Sequence, residues 1–282
     1  MSRWLPDHLH ITLAPDHIVL ARAALRLKFS GPSLRWLSRA HLPITAGGPD
    51  QPAWSAALPA LENALGELTL AIPEVRRCRA TVIISNHFVR YALVPWSNLI
   101  NDAAEELALT SHYFHETYGD AAEHWELRVS PDHSGALQLA SALQPELLNA
   151  VRELFVRTGI RLVSVQPHLM NVCNTHRQRL GSGEAWLAVV EPGSLCLALL
   201  QSGRLVRLRS QRLGSDWPNQ LITALERENF LSDREILTRD LFLAAAGMES
   251  QEFPDGLPWS IQRLAPAETA DKRQNPASAE SE

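Results

Sequence analysis

Histidines and an acid spaced along one helix face are the first places in this chain where chemistry could reside. His112 and His115 stand three residues apart, with Glu116 next to the second. On a helix that spacing puts both imidazoles on one side, where they could hold a divalent cation. Zinc sites use about four ligands, so this pair needs more from elsewhere; otherwise the two are ordinary surface or interface histidines. His8 and His10 alternate at the onset of an extended run and fit the same two readings. Arg204, Arg207, Arg209 and Arg212 crowd a short stretch further on. Such a cluster fits a solvated strand face, or contact with an anion, a lipid headgroup included. Cys78, Cys173 and Cys196 form no CxxC pair. An odd count argues against a disulfide framework, and they are read as reduced core residues. The sequence contains no Walker loop, GxSxG elbow, HExxH pair or dinucleotide-binding glycine fingerprint.

Composition sets the bounds. The chain has 282 residues, 45% of them hydrophobic, enough for one large or two small cores. A net charge of −5 gives no reason to expect nucleic acid as a partner. Residues 1–7 lack the apolar centre of a signal peptide. No apolar run reaches the ~18–20 residues that span a bilayer. The expectation is a cytoplasmic protein that docks on a membrane through a partner, if at all.

The elements that position these residues are written twice. Residues 185–213 read as three consecutive antiparallel strands, broken by the turns Glu191-Pro192-Gly193 and Gln201-Ser202-Gly203. Pro192 and Gly203 rule out a continuous helix there. Near the start, Ile11-Thr12-Leu13-Ala14 leads through Pro15-Asp16 into a second strand, and residues 34–42 supply a third. Laying Ala14-Pro15-Asp16-His17-Ile18 over Glu191-Pro192-Gly193-Ser194-Leu195 matches turn to turn and strand to strand. Two copies this far apart indicate a duplicated domain.

The remaining elements follow from periodicity and punctuation. Helices are expected over about 53–70, from a cap at Asn101 or Asp102 to Tyr118, from Pro145 to Gly159, over 168–180, and from Ser215 or Asp216 to about 230. Strands are expected at 80–84, 88–94, 125–129, 136–143, 160–165, 240–246 (closed by Gly247) and 259–264. Gly181-Ser182-Gly183 reads as the hinge between halves. From Ala265 onward almost nothing can be buried, and a disordered tail is expected over 265–282.

This order of elements resembles the duplicated ribonuclease-H-like, or actin-like ATPase, fold: an α/β architecture of two lobes with mixed sheets. The resemblance is nearest to the PilM-like proteins of type IV pilus assembly and the cytoplasmic domain of the GspL-like proteins of type II secretion. It is carried by residues 82–91 with Leu93-Val94-Pro95-Trp96, by residues 159–167, and by the 185–213 meander. It implies a first lobe over 1–180 with an inserted subdomain at about 86–143, and a second lobe over 181–264.

The resemblance also implies where a nucleotide would sit. ATP-using members place an acid at each hairpin for Mg²⁺ or the attacking water, with adjacent glycine and hydroxyl residues for the phosphates. In this chain Pro15 and Pro192 stand inside those hairpins and offer no N–H. Glu191, Gly193 and Ser194 remain as a relic of the second hairpin, with Glu191 expected as an exposed turn carboxylate. The adenosine-side glycine cluster is reduced to Gly247 behind three alanines. The implied protein is a catalytically silent scaffold with no catalytic residue, metal or cofactor. Its implied partners are an inner-membrane pilus or secretion platform protein and the assembly ATPase. The alternatives are a nucleotide-binding ATPase or small-molecule kinase that uses Asp16 or Glu191 with ATP and Mg²⁺, and an unrelated regulator sharing the superfold.

Overall fold

A computed structural model describes residues 6–28, 31–45, 51–98, 100, 102–130, 136–181, 183–232, 238–248, 251–254 and 256–266. Ala265 and Pro266 are described; the rest of the expected disordered tail, 267–282, lies outside these residues. The chain runs β1 (His8–Leu13), β2 (His17–Lys28), β3 (Gly31–Pro43), α1 (Ala57–Ala71), β4 (Arg79–Ile84), β5 (Val89–Pro95), α2 (Ala103–Tyr118), β6 (Glu126–Val129) and β7 (Leu137–Leu143). It continues through α3 (Pro145–Thr158), β8 (Arg161–Pro167), α4 (His168–Thr175), α5 (Arg177–Leu180), β9 (Glu184–Glu191), β10 (Ser194–Gln201), β11 (Arg204–Arg212), α6 (Trp217–Phe230), β12 (Asp240–Ala244) and β13 (Ser260–Arg263).

Two of the three sheets are copies of one plan. The first has the order β3-β2-β1-β4-β8 and the second β11-β10-β9-β12-β13. In each, the first three strands are antiparallel neighbours and the last two join in parallel. The copying reaches single hydrogen bonds. Leu13 faces Ile18 across the first hairpin and Val190 faces Leu195 across the second. The Ile44 amide donates to the Asp16 carbonyl at 2.7 Å; the Leu213 amide donates to that of Gly193 at 3.0 Å. The sequence overlay therefore holds residue for residue at the turns.

The helices follow from their sequence signals. Asp102 accepts from the Ala104 and Glu105 amides, a cap of about 1 kcal/mol. Pro145 opens α3 in the first turn, where a missing N–H costs nothing, and Gly159 ends it at φ 69°. Leu147, Leu148, Val151, Leu154 and Phe155 recur on the buried face of α3. In the second sheet, Trp186, Ala188 and Val190 pack with Leu195, Leu197 and Leu199 against Trp217, Leu221 and Leu225 of α6. The third sheet, β5-β7-β6, buries Val94, Leu127, Ala140 and Ala142 around Phe114 of α2.

Several boundaries differ from expectation. Helix α1 begins at Ala57, which places Pro59 in its first turn. The expected helix over 168–180 is two helices, parted at His176 with φ −107°. Strands β2 and β3 run to Lys28 and from Gly31, because they pair with each other beyond the end of β1. The described residues form two compact units: those up to 89 with 143–171, and those of 90–142 with 172–266. The inserted segment thus groups with the second unit, and the boundary falls inside α4. The expected hinge lies within the second unit: the Ser202 amide donates to the Gly183 carbonyl at 2.7 Å. A Cβ on Gly203 would come within 3.1 Å of the Gly181 Cα, so the two glycine backbones approach closely.

Candidate functional site

The site implied by the resemblance comprises the two proline hairpins and the end of β12. In the first hairpin the Ala14 amide donates to the His17 carbonyl at 3.0 Å. Ala14 itself is only 3% exposed. Asp16 projects outward, and its carboxylate meets the His17 Nδ1 at 2.8 Å. The His17 ring stacks on His41 at 4.8 Å between centroids. The acid available for a metal is thus held by the neighbouring imidazole.

In the second hairpin Glu191 occupies the position of Ala14 and Gly193 that of Asp16. Gly193 has φ 80°, the left-handed conformation that this two-residue turn demands. Glu191 is 7% exposed, which corrects the expectation of a solvated turn carboxylate. It closes β9 on the sheet face of Val189 and Cys196, opposite Ser194. Burial, and more weakly the Glu191 charge, push the Cys196 thiol up to about 12, although Ser210 Oγ lies 3.6 Å away. Burial likewise raises Cys173 to about 12 and raises Cys78, where Asp7 adds to the effect. None of the three is poised as a nucleophile.

At the end of β12, Ala244 and Ala245 are buried and Gly247 turns the chain at φ 79°. A Cβ on Gly247 would meet nothing within 4 Å, so its backbone angle, and no close approach within the chain, asks for glycine. The corresponding end of β4 carries the buried polar pair Ser85 and Asn86. Ser85 Oγ accepts from the His87 amide at 3.1 Å, and Asn86 Oδ1 accepts from the Leu169 amide at 3.2 Å in the first turn of α4. Ser85 thus braces the local turn, and Asn86 Oδ1 holds the first turn of α4. The partner of Asn86 is 83 residues away, so no local pattern could announce that bond.

The hairpins therefore do not fit a Mg–nucleotide. The apex residues Pro15 and Pro192 have no amide to offer a phosphate. One acid is buried in the sheet face and the other is held by a histidine.

The other sequence candidates resolve as follows. His112 Nε2 lies 3.3 Å from Glu116 Oε1 on an exposed helix face. Among the described residues no three His, Cys, Asp or Glu side chains gather as metal ligands. His10 sits with both ring nitrogens buried and unpartnered, edge-on to Trp36 at 5.0 Å. Burial, helped by the charge on His8, pulls its pKa down to about 4. His8 is also lowered, by burial and then by Arg79. The arginine cluster on β11 is largely spoken for: Arg207 and Arg209 reach Glu228 of α6 at 3.3 and 3.1 Å. Glu228 is a buried carboxylate, 4% exposed, so the strand is tied to its helix by charge at Arg207 and Arg209.

No family model matches the chain, and no curated protein matches it in sequence. Solved structures do. The PilM–PilN type IV pilus biogenesis complex aligns over 91% of this chain and 88% of the matched one, at 16% identity and a TM-score of 0.67. The cytoplasmic domain of EpsL, an inner membrane component of the type II secretion system of Vibrio cholerae, aligns over 93% and 91%, at 9% identity and a TM-score of 0.58. The repeated strand order and these two likenesses agree: the chain has the duplicated actin-like fold in the form that these pilus and secretion proteins share.

Proposed function

We propose that this chain is a non-catalytic assembly protein of a type IV pilus or type II secretion inner-membrane platform. It works on the cytoplasmic side, at the membrane surface, by binding the short tail of a membrane-anchored partner or by docking the assembly ATPase. The observation that carries this reading is the likeness to the PilM–PilN complex along nearly the whole chain. Two facts support the silent part: both hairpins place proline where a phosphate would need amides, and Asp16 is held by His17. Among the described residues no helix is long and apolar enough to cross a membrane. The mechanism is positional: extended-peptide capture supplies main-chain hydrogen bonds and side-chain pockets, with no covalent step.

Crosslinking and pull-down of the full chain from membranes of the source cell tests the partner. Recovery of a single-span protein with a short cytoplasmic N-terminus supports the proposal; recovery of soluble metabolic enzymes alone refutes it. Calorimetric titration with ATP and Mg²⁺ tests the silence. The competing reading, a nucleotide-binding ATPase or kinase, draws on the acid–Pro–Gly–Ser remnant at Glu191. Magnesium-dependent binding lost in Glu191→Ala would establish that reading, and the absence of heat would remove it.

A further inference from the structure

The edge strand of the first sheet is cationic, and no acid among the described residues pairs with its arginines. Strands β2 and β3 carry Arg22, Arg26, Lys28, Arg35 and Arg39 and contain no Asp or Glu, in a chain whose net charge is −5. The ribbon they form overhangs its sheet: β1 pairs with β2 only as far as Ala23, while β2 and β3 remain paired to Lys28 and Gly31. Arg22 is engaged by Asp7 at 2.8 Å. Arg35 and Arg39 are exposed, and neither meets an acid among the described residues. A register irregularity leaves Leu37 as the extra residue between them. Arg35 therefore stands opposite Ala24 and Arg39 opposite Ala21, on the two sides of one edge. Leu37 is 44% exposed at that same edge. On β11, the matching edge strand, the single buried carboxylate of Glu228 pairs with both Arg207 and Arg209, and Arg212 is exposed.

We infer that the β3 edge is a docking surface for an anionic lipid bilayer. An anionic bilayer attracts exposed Lys and Arg at about 1 kcal/mol each; an open strand edge leaves outward N–H groups available, and a modest apolar contact adds to these. The edge supplies these with two unneutralised guanidinium groups, the open side of a 13-residue strand and Leu37. A folded protein partner would instead be expected to meet a packed cluster of aromatic or apolar anchors, and this edge presents one exposed leucine. The inference goes beyond the proposed assembly role, because it concerns lipid contact by this chain itself.

Sedimentation of the full chain with vesicles tests it. One set is phosphatidylcholine and the other contains phosphatidylcholine and phosphatidylglycerol in equal parts. Binding to the anionic set alone, weakening as salt is added, is expected. Each arginine near the surface is worth about fivefold in affinity, so R35Q/R39Q is expected to lose about twenty-five-fold. The control R152Q/R177Q removes two exposed helix charges and is expected to bind like the parent chain. Equal binding to both vesicle types, no binding to either, or an equal loss in the control overturns the inference. The vesicles contain no platform protein, so failure here leaves the pull-down result untouched. Thermal melting of both variants excludes unfolding as the cause of any loss.

Discussion

The two five-stranded sheets share strand order, pairing direction and hairpin register, yet equivalent positions hold different chemistry. Where the second has Glu191 the first has Ala14; where the second has Gly193 the first has Asp16; where the second has Leu187 the first has His10. The edges diverge too: two arginines of β11 pair with the buried Glu228, while Arg35 and Arg39 of β3 meet no acid among the described residues. Backbone hydrogen bonds fix where a side chain stands, because a one-residue slip would turn every apolar residue outward. They do not fix which side chain stands there. A duplicated frame can therefore keep its geometry while each copy loses or changes its chemistry independently.

Moving residues between the copies would break or sharpen this contrast. The largest effect is expected for Ala14→Glu, which gives the first hairpin the acid of the second. Ala14 is 3% exposed, and burying a carboxylate there is expected to cost about 4 kcal/mol in urea unfolding. A cost near zero would mean that the first copy still has an accommodating acid site. Next, Arg207→Ala with Arg209→Ala strands the buried Glu228 and is expected to cost about 3 kcal/mol. The corresponding Arg35→Ala with Arg39→Ala is expected to change stability by no more than about 0.5 kcal/mol. Equal losses in the two pairs would erase the distinction between the edges.

The third substitution concerns pH. His10 is held at about 4 in the folded chain against 6.5 when free, so the unfolded state binds the extra proton first. Its contribution is fully present above 6.5 and is lost as the pH falls towards 4. The acid loss attributable to this residue is expected to be on the order of 3 kcal/mol. His10→Leu, which installs the residue of the second copy, should flatten that part of the melting-temperature profile between pH 7 and pH 4. An unchanged profile would place the acid sensitivity elsewhere. A smaller loss is expected for Gly193→Ala: at φ 80° the added Cβ costs about 1–2 kcal/mol, read as a small shift of the denaturation midpoint.

The turns were legible because proline and glycine announce themselves. Pro15, Pro192 and Gly193 set the hairpins, and the overlay of the two turns survives at the level of individual hydrogen bonds. Asp102, Pro145 and Gly159 marked helix ends for the same local reason. What escaped the sequence was decided across distance. Glu228 finds Arg209 and Arg207 from 19 and 21 residues away, once a helix face and a strand face meet. Glu191 is buried because the sheet face it closes is covered, which a turn motif cannot report. The overhang of β2 and β3 arises because the two strands support each other past the point where β1 stops. The grouping of residues 90–142 with the second unit is a property of contacts, not of any residue along the way.

The parallel strand that closes the first sheet has a consequence for synthesis. Strand β4 ends at Ile84 and its neighbour β8 starts at Arg161. At ribosomal speeds of ~5–20 residues per second, the nascent first unit waits about 4–15 s with one side of β4 unpaired. That bare side, rich in Val82, Ile83 and Ile84, is the kind of surface that chaperones bind. A ribosome stalled before residue 161 should therefore hold a chain that is protease-sensitive and chaperone-bound, and one stalled well past α4 should release it.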